Sequence, residues 1–440
     1  MKSKSAICKI GKNIRESNYL PNNELLDQLE DYRISYKDTI ATIYAQVNNC
    51  GRSVFKNSIA TYRMKRIDSI IRKLKRLSRM QLDRMWDVAG CRCILNTNKQ
   101  VYEIRSKLYA CLNIIKEYDY IKKPRQSGYQ SIHLFAKGEN GLVVEIQIRN
   151  KQSHNWATLV EISDYLFDDR IKENQSNSDL PRLHYLLSKP EGLTFVDRVE
   201  VVKILKKVGY IESLSNEFTR NYLKIRMQWI KIEAIKQNHY YLIEAEKGTT
   251  PQIQSFATFS DAERVYYTKF KTKKDSNIVL THLPRATYKK ISVAYSNYIL
   301  SYHQFVDQSF NTIEKLIIES INLNRFFKIA IFYEYYLRLN YTHFENMINE
   351  IEAYNHEYAD MKNQSLKEWV DDIKGQVKKR EKKTKELTQN INLAFVNSWI
   401  PISLFKFLPF FLKIKYKRKR DNIISHGSHN KKSGGVNNSV

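Results

Sequence analysis

Between Val143 and Arg149 the chain alternates, with Glu145, Gln147 and Arg149 separated by Ile146 and Ile148. A period of two belongs to a β-strand, so the three polar side chains share one face and the isoleucines the other. That strand fits a sheet with one covered face. Its polar row reads as a solvated surface or, equally, as the wall of a site.

The neighbouring segments supply the rest of a sheet and its helices. Val88–Leu95 and Ile132–Phe135 read as further strands, with a helix over Lys99–Ile115 and another over Trp156–Leu166. Leu25, Leu29, Tyr32, Tyr36, Ile40 and Ile43 keep helical spacing, which predicts one amphipathic helix over Asn23–Asn49, capped by Asn22 or Asn23. Thr61–Gln81 reads as a very basic helix. The expected fold class is α+β, a small mixed β-sheet flanked by helices.

Ser188–Gly192, around Pro190, is the expected domain boundary. After it the pattern predicts helices over Asn216–Ile235, Ser260–Phe270 and Thr287–Phe305, strands over Tyr240–Ala245 and Asn277–Leu283, then helices to about Leu387. The expected division is an N-terminal helical extension (1–60), a sheet-containing domain (61–188), a helix-rich α/β C-terminal domain (193–390) and an apolar, basic tail (391–440). Lys374–Lys385 reads as a solvated helix end. Leu393–Leu412 is apolar but holds Pro401, Lys406 and Pro409, which argues against a clean membrane span. With the basic run that follows, it reads as an interfacial anchor on a membrane surface or as a buried terminal hairpin. Asp421–Val440 is polar and reads as disordered.

The formal charge of +27 favours polyanionic partners, although a bias toward Lys, Asn, Ile and Tyr accounts for part of it. The five cysteines include no Cys-x-x-Cys pair, and Cys91 and Cys93 sit in an apolar run, as small core residues do. Without a signal-peptide pattern at Met1–Asn18, the expected location is the cytoplasm.

Four clusters carry candidate chemistry. If Thr61–Gln81 were one helix, Arg63, Arg66, Ser69 and Lys73 would fall within an arc of roughly 120°, a stripe suited to polyphosphate. Asp87, Gly90 and Arg92 open a strand, where a carboxylate with close backbone access can hold a magnesium-bound phosphate. Asp119 to His133 forms a loop with Lys122, Arg125 and Tyr129, in which an aromatic ring can stack on a base while cations take phosphates. The fourth cluster is Glu145, Gln147 and Arg149. Taken singly, each also fits an ordinary surface.

In this order and spacing, Arg63-x-Lys65 with Ser69 and Lys73, Asp87-x-x-Gly90-x-Arg92, Asp119-Tyr-Ile-Lys122-x-Pro124 running to Gly128-Tyr129-x-Ser131-x-His133, and Glu145-x-Gln147-x-Arg149 resemble the synthetase domain of the RelA/SpoT family. The resemblance covers about a quarter of the chain. It implies a nucleotidyltransferase-like fold that moves pyrophosphate from ATP to a nucleotide 3′-hydroxyl and releases AMP. It further implies that Arg63, Lys65, Ser69, Lys73 and Arg92 bind ATP, and that Asp87 and Glu145 hold Mg²⁺. Glu145 would also help deprotonate the hydroxyl. Lys122, Arg125, Tyr129, His133, Gln147 and Arg149 would surround the acceptor.

The chain departs from the family pattern at Gln130, where arginine is usual, and at Arg125, where lysine is usual; Trp156, Glu161 and Tyr165 are kept. These changes bear on the acceptor. No His-Asp dipeptide occurs, so the resemblance implies a synthetase without the family's hydrolase domain. Three readings follow: a (p)ppGpp synthetase using GDP or GTP, a toxin modifying the 3′-terminal adenosine of tRNA, and a non-catalytic nucleotide-sensing module. In each, the C-terminal half is expected to regulate the site or bind a partner.

Overall fold

The computed structural model describes residues 3–17, 21–167, 179–189, 192–233, 235–245, 249–272, 277–284, 286–288, 290–291, 303–358 and 364–396. Its helices in chain order are α1 (Lys4–Glu16), α2 (Asn23–Ile34), α3 (Lys37–Val54), α4 (Ile67–Arg76), α5 (Asn98–Cys111), α6 (Lys151–Leu166), α7 (Leu180–Leu187), α8 (Phe195–Val208), α9 (Tyr210–Glu233), α10 (Phe259–Thr272), α11 (His303–Asn322), α12 (Phe326–Tyr358) and α13 (Gln364–Val396). The chain divides into two compact units, 1–165 with 231–299, and 166–230 with 300–440.

The first unit is α+β. Its main sheet comprises β1 (Ile59–Met64), β2 (Ala89–Leu95), β3 (Ile114–Asp119), β4 (Ile132–Lys137) and β5 (Val143–Asn150), ordered β1-β2-β5-β4-β3. β2 and β5 run parallel and the other pairs antiparallel, so the sheet is mixed. Ala60, Tyr62, Cys91, Cys93, Ile146 and Ile148 point into the core, where α3 brings Ile43 and Val47 and α5 brings Ile104 and Leu108. Gly51 permits the approach of α3, since a Cβ there would come within 2.9 Å of the Cys93 sulfur.

Several local expectations change. The basic stretch 61–81 is not one helix. Residues 59–64 form β1, because their alternate residues Ala60 and Tyr62 fill the core, and the helix begins only at Ile67. Arg63 therefore lies on a strand, and the proposed helical stripe does not exist as such. The expected helix Asn23–Asn49 is two. Its break falls at Ser35, whose hydroxyl bonds the Tyr32 carbonyl at 2.7 Å and so competes with the helical ladder. Asn22 caps α2 through the Leu25 amide. β3 and the later strand β7 (Gln252–Phe256) were not anticipated.

A second sheet joins β7 to β6 (Tyr240–Ala245) and β8 (Asn277–His282) in the order β7-β6-β8, all antiparallel. The linear division at 188–193 assigned it to a C-terminal domain, yet it groups with the first unit. The reason is an uncovered aromatic face on α2, α3 and β1. Tyr62 meets Phe259 and His282, Tyr44 meets His282 at 5.1 Å, and the fully buried Arg33 donates to the Tyr266 hydroxyl at 2.8 Å.

The second unit is helical. Leu205, Phe310, Ile313, Ile317, Tyr335 and Tyr336 are buried within it. α12 and α13 run antiparallel, as shown by Tyr333 against Thr388 at 2.6 Å and Phe326 against Phe395 at 5.3 Å. Most of the expected helix Thr287–Phe305, the boundary residue Pro190 and the tail from Asn397 onward lie outside the described residues. No described helix is long and apolar enough to cross a membrane.

Candidate active site

The polar face of the five-stranded sheet is assembled by strand register. Thr61, Arg92, Gln147, His133 and Tyr118 lie opposite one another across all five strands, and Arg63, Gly90, Glu145, Phe135 and Lys116 form the adjacent row. Side chains in register share a face. Alternation on β5 thus delivers Glu145, Gln147 and Arg149 between strands that bring cations and a histidine. Gly90 leaves a gap between Arg63 and Glu145; a Cβ there would meet only the Glu145 carbonyl, at 3.4 Å.

Two groups of charges occupy this face. In the first, Asp87, two residues before β2, accepts from Lys65 and from Lys73 of α4, each at 2.8 Å. The Lys65 amide bonds the Val88 carbonyl, which fixes the end of β1 beside Asp87. Burial pushes the Asp87 carboxyl up, but the two ammonium groups outweigh it and hold it at about 2. Burial also lowers the pKa of Lys65, against the pull of Asp87.

The second group is a closed ring of hydrogen bonds. Arg149 donates to the Tyr129 hydroxyl at 2.5 Å, and Tyr129 meets His133 Nε2 at 2.6 Å. His133 Nδ1 lies 2.7 Å from Glu145 Oε1, Gln147 donates to Glu145 Oε2 at 2.9 Å, and Arg149 donates to the Gln147 oxygen at 2.8 Å. With the carboxylate accepting, Nδ1 carries the proton and Nε2 accepts from tyrosine, so donors and acceptors match all round. Burial pushes the Glu145 carboxyl up and the bond from His133 pulls it down, leaving it below its ordinary value. The Asp87 charge acts on Glu145 in the opposite sense, so the two carboxylates sense each other.

Both carboxylates are therefore anions at neutral pH. Hard oxygen donors of this kind suit Mg²⁺, which keeps waters and takes substrate phosphates beside one or two carboxylates. Among the described residues no group of three or more His, Cys, Asp or Glu side chains converges as a ready-made metal cage. The donor set fits a magnesium ion that arrives with phosphate.

The remaining expected residues divide. Arg92 faces Gln147 across the β2–β5 register, and Arg63 occupies the row of Glu145. Arg125 lies in a turn closed by Gly128 at φ +87°, its guanidinium 4.4 Å over Tyr120 and 5.7 Å from the Tyr129 ring centre. Lys122 instead sits 5.6 Å over Tyr102, and Ser69 makes a 3.5 Å contact with Asp68. Asp119 accepts from the amides of Ile121 and Lys122, a turn-forming role. The side chain of Tyr165 lies outside the described residues.

Tyr118 and Tyr120 escaped the sequence reading. Their rings stack at 5.8 Å and 14°, Lys116 lies 4.9 Å over Tyr118, and Tyr120 meets the edge of His133 at 5.2 Å. With Arg125 they make a ladder of cation, ring, ring and cation beside the Glu145 ring. The signal was the two-residue spacing of Lys116, Tyr118 and Tyr120, hidden by extending the preceding helix to Ile115.

Residues 62–189 match the family model described as the region found in RelA/SpoT proteins. GTP pyrophosphokinase YjbM of Bacillus subtilis is 31% identical over 124 residues, 26% of this chain and 59% of that protein. GTP pyrophosphokinase of Escherichia coli K12 is 36% identical over 106 residues, 22% of this chain and 13% of that protein. That of Photobacterium angustum is 30% identical over 138 residues, 31% of this chain and 18% of that protein. The matched segment thus spans 13% to 59% of these relatives' length. The crystal structure of Bacillus subtilis small alarmone synthetase 1 bound to its product pppGpp overlaps 41% of this chain and 97% of its own, at 22% identity and a TM-score of 0.32.

Proposed function

We propose that this chain is an ATP-dependent pyrophosphotransferase that makes (p)ppGpp from GDP or GTP. The observation that carries the reading is the placement of two ionised carboxylates within electrostatic range of each other, Asp87 just before β2 and Glu145 on the neighbouring β5, among Lys65, Lys73, Arg63 and Arg92. GTP pyrophosphokinases among the relatives support it.

In this reading the acceptor's 3′-oxygen attacks the β-phosphorus of ATP. The bond from that phosphorus to the α,β-bridging oxygen breaks, AMP leaves, and one proton is released. Such transfer needs in-line positioning and charge neutralisation more than covalent help. Lys65, Lys73, Arg63 and Arg92 hold the donor phosphates, with Ser69 at their margin. Bound Mg²⁺ would neutralise phosphoryl charge between Asp87 and Glu145. A carboxylate held low is a weak base, so Glu145 takes the hydroxyl proton late, as the new bond to phosphorus forms. Tyr129, held by Arg149 and His133, presents its ring to the acceptor base beside Arg125, and Gln147 keeps Glu145 oriented. Lys122 reaches the acceptor phosphates only by leaving Tyr102.

A second reading takes the 3′-terminal adenosine of tRNA as acceptor. It is favoured by the ladder of Lys116, Tyr118, Tyr120 and Arg125, a form suited to stacked bases of a single strand. ATP labelled on its γ-phosphate distinguishes the two when GDP, GTP, ATP and bulk tRNA are offered separately. Label in GDP or GTP, with AMP released, is the expected result. Label in tRNA alone, with transfer falling steeply with salt, moves the acceptor to RNA. A folded protein that labels none is a nucleotide-sensing module, and both enzymatic readings fail.

A further inference from the structure

The apolar side of the five-stranded sheet carries a pair of groups that the site on the other face does not use. α3 and α5 both pack on that side, and each bears a cysteine near its C-terminal end. Val47 and Leu108 are fully buried; one turn further on, Cys50 is half-buried and Cys111 exposed. Their sulfurs lie 3.8 Å apart. The same two helices are bridged beside the pair, where Lys107 donates to the Ser53 hydroxyl at 3.1 Å and Ser53 donates to the Cys50 carbonyl at 2.9 Å. Buried Val47 and Gly51 anchor α3, and buried Ile104 and Leu108 anchor α5. The contact between the thiols is therefore set by the core and not by a loop.

Two thiols in contact can do what a single one cannot. A disulfide is about 2.0 Å long, so the sulfurs need to close by less than about 2 Å, which is within reach of side-chain rotation. Cys111 is the thiol that a reagent in solution meets first. Burial and then the bond with Cys111 raise the pKa of Cys50, with the Lys107 ammonium pulling the other way, so Cys50 reacts second and at short range. The other three thiols are placed differently. Cys91 and Cys93 are buried in the core. Cys8 donates to the Asp83 carboxylate at 3.1 Å, a bond that raises its pKa and disfavours its reactive anion.

We infer that Cys50 and Cys111 form a reversible disulfide that staples α3 to α5 when a low-molecular-weight disulfide such as oxidised glutathione accumulates. The Cys111 thiolate attacks one sulfur of the reagent, whose S–S bond breaks, and one glutathione leaves with the Cys111 proton. Cys50 then gives up its proton and attacks the Cys111 sulfur, and the second glutathione leaves. The two cysteines lose two electrons in all, and the reagent becomes two thiols. In a reducing compartment such a pair rests as thiols and closes only under oxidation. The closed loop runs from Cys50 through β1, α4, β2 and α5, and so holds Arg63, Lys65, Lys73, Asp87 and Arg92. Joining residues 61 positions apart restricts the unfolded chain and favours the folded one by about a thousandfold.

Mass spectrometry of the purified full chain tests this, after equilibration with mixtures of reduced and oxidised glutathione, trapping with N-ethylmaleimide and digestion without reductant. The expected product joins the peptides of Cys50 and Cys111. It should outnumber the glutathione adduct of Cys111 by about tenfold or more, because the second thiol is already in contact. In urea the oxidised chain should unfold with an equilibrium constant about a hundredfold or more below that of the reduced chain. Cys50→Ser should leave Cys111 as its adduct and abolish that gain. Cys111→Ser, at an exposed position, should remove the cross-link and keep the fold. A Cys111 adduct that persists in the parent without a cross-link overturns the inference, as does a link from Cys50 to Cys93 or between two chains through Cys111. A Cys50–Cys111 link that leaves the urea midpoint unchanged removes the staple.

Discussion

In the three-stranded sheet Glu244 has a side chain 4% exposed and meets Lys269 at 2.6 Å; in the five-stranded sheet Glu145 has a side chain 15% exposed and meets His133 at 2.7 Å. Both are carboxylates on central strands with a close polar partner. The difference lies in what surrounds the pair. Glu244 and Lys269 form an ion pair between β6 and α10, buried on the acidic side. Glu145 belongs to a ring of five side chains, and a second anion, Asp87, lies near enough to raise its pKa. A buried charge alone therefore does not mark a site. Convergence of unlike groups from several elements does, because packing gains nothing from bringing a second anion within electrostatic range of the first.

This contrast can be broken most sharply at the two glutamates. Glu145→Gln keeps the size and most hydrogen bonds of the ring but removes the anion. It should lower the transfer rate by on the order of a thousandfold or more, with unfolding free energy within about 1 kcal/mol of the parent. Glu244→Gln should do the reverse. It leaves Lys269 without its counter-charge and should cost about 2 kcal/mol of stability, while the rate changes by less than about twofold. Label transfer and urea melts on both variants decide it. A folded Glu145→Gln protein with parental turnover would sink the assignment.

A smaller effect is expected where the site face has a gap. In Gly90→Val the branched side chain would enter the space between Arg63 and Glu145, in the row assigned to the donor phosphates. Since a Cβ there meets only the Glu145 carbonyl at 3.4 Å, stability should change little. Transfer should fall by roughly a hundredfold, with the apparent KM for ATP raised. An unchanged KM would place the donor elsewhere on the sheet.

How far the sequence announced this arrangement varied with the kind of signal. Glu145, Gln147 and Arg149 were legible because a strict two-residue period has one structural meaning. Gly90 and His133 were legible only as members of ordered motifs. β1 was misread because Arg63, Arg66, Ser69 and Lys73 happen to recur at helical spacing, while the shorter alternation of Ala60 and Tyr62 that fixes the strand carries less apparent weight. The docking of β6, β7, β8 and α10 on the first unit could not be read locally. It depends on Tyr44, Tyr62 and Arg33 needing cover, and that need exists only once α2, α3 and β1 have formed.

The same docking offers the mildest test, through His282. Its ring stacks on Tyr240 at 4.5 Å and lies 5.1 Å from Tyr44, so burial, with His239 adding repulsion, brings its pKa from 6.5 to about 4. Unfolded chains take up this proton near pH 6.5, whereas the folded protein resists until about pH 4. Stability from the neutral ring is therefore complete above 6.5, drains away between 6.5 and 4, and is constant below. Discounted for partial exposure, the loss is about 2 kcal/mol. Asp87 acts in a lower window, since its pKa drops from 3.8 to about 2, so its contribution persists above 3.8 and is lost toward 2. Glu263, pushed up by burial, works in the opposite sense. The difference between the parent and His282→Phe isolates the histidine. Urea midpoints should converge as pH falls from 7 toward 4, with the variant losing less; parallel losses in the two proteins would mean that His282 is not the group that titrates.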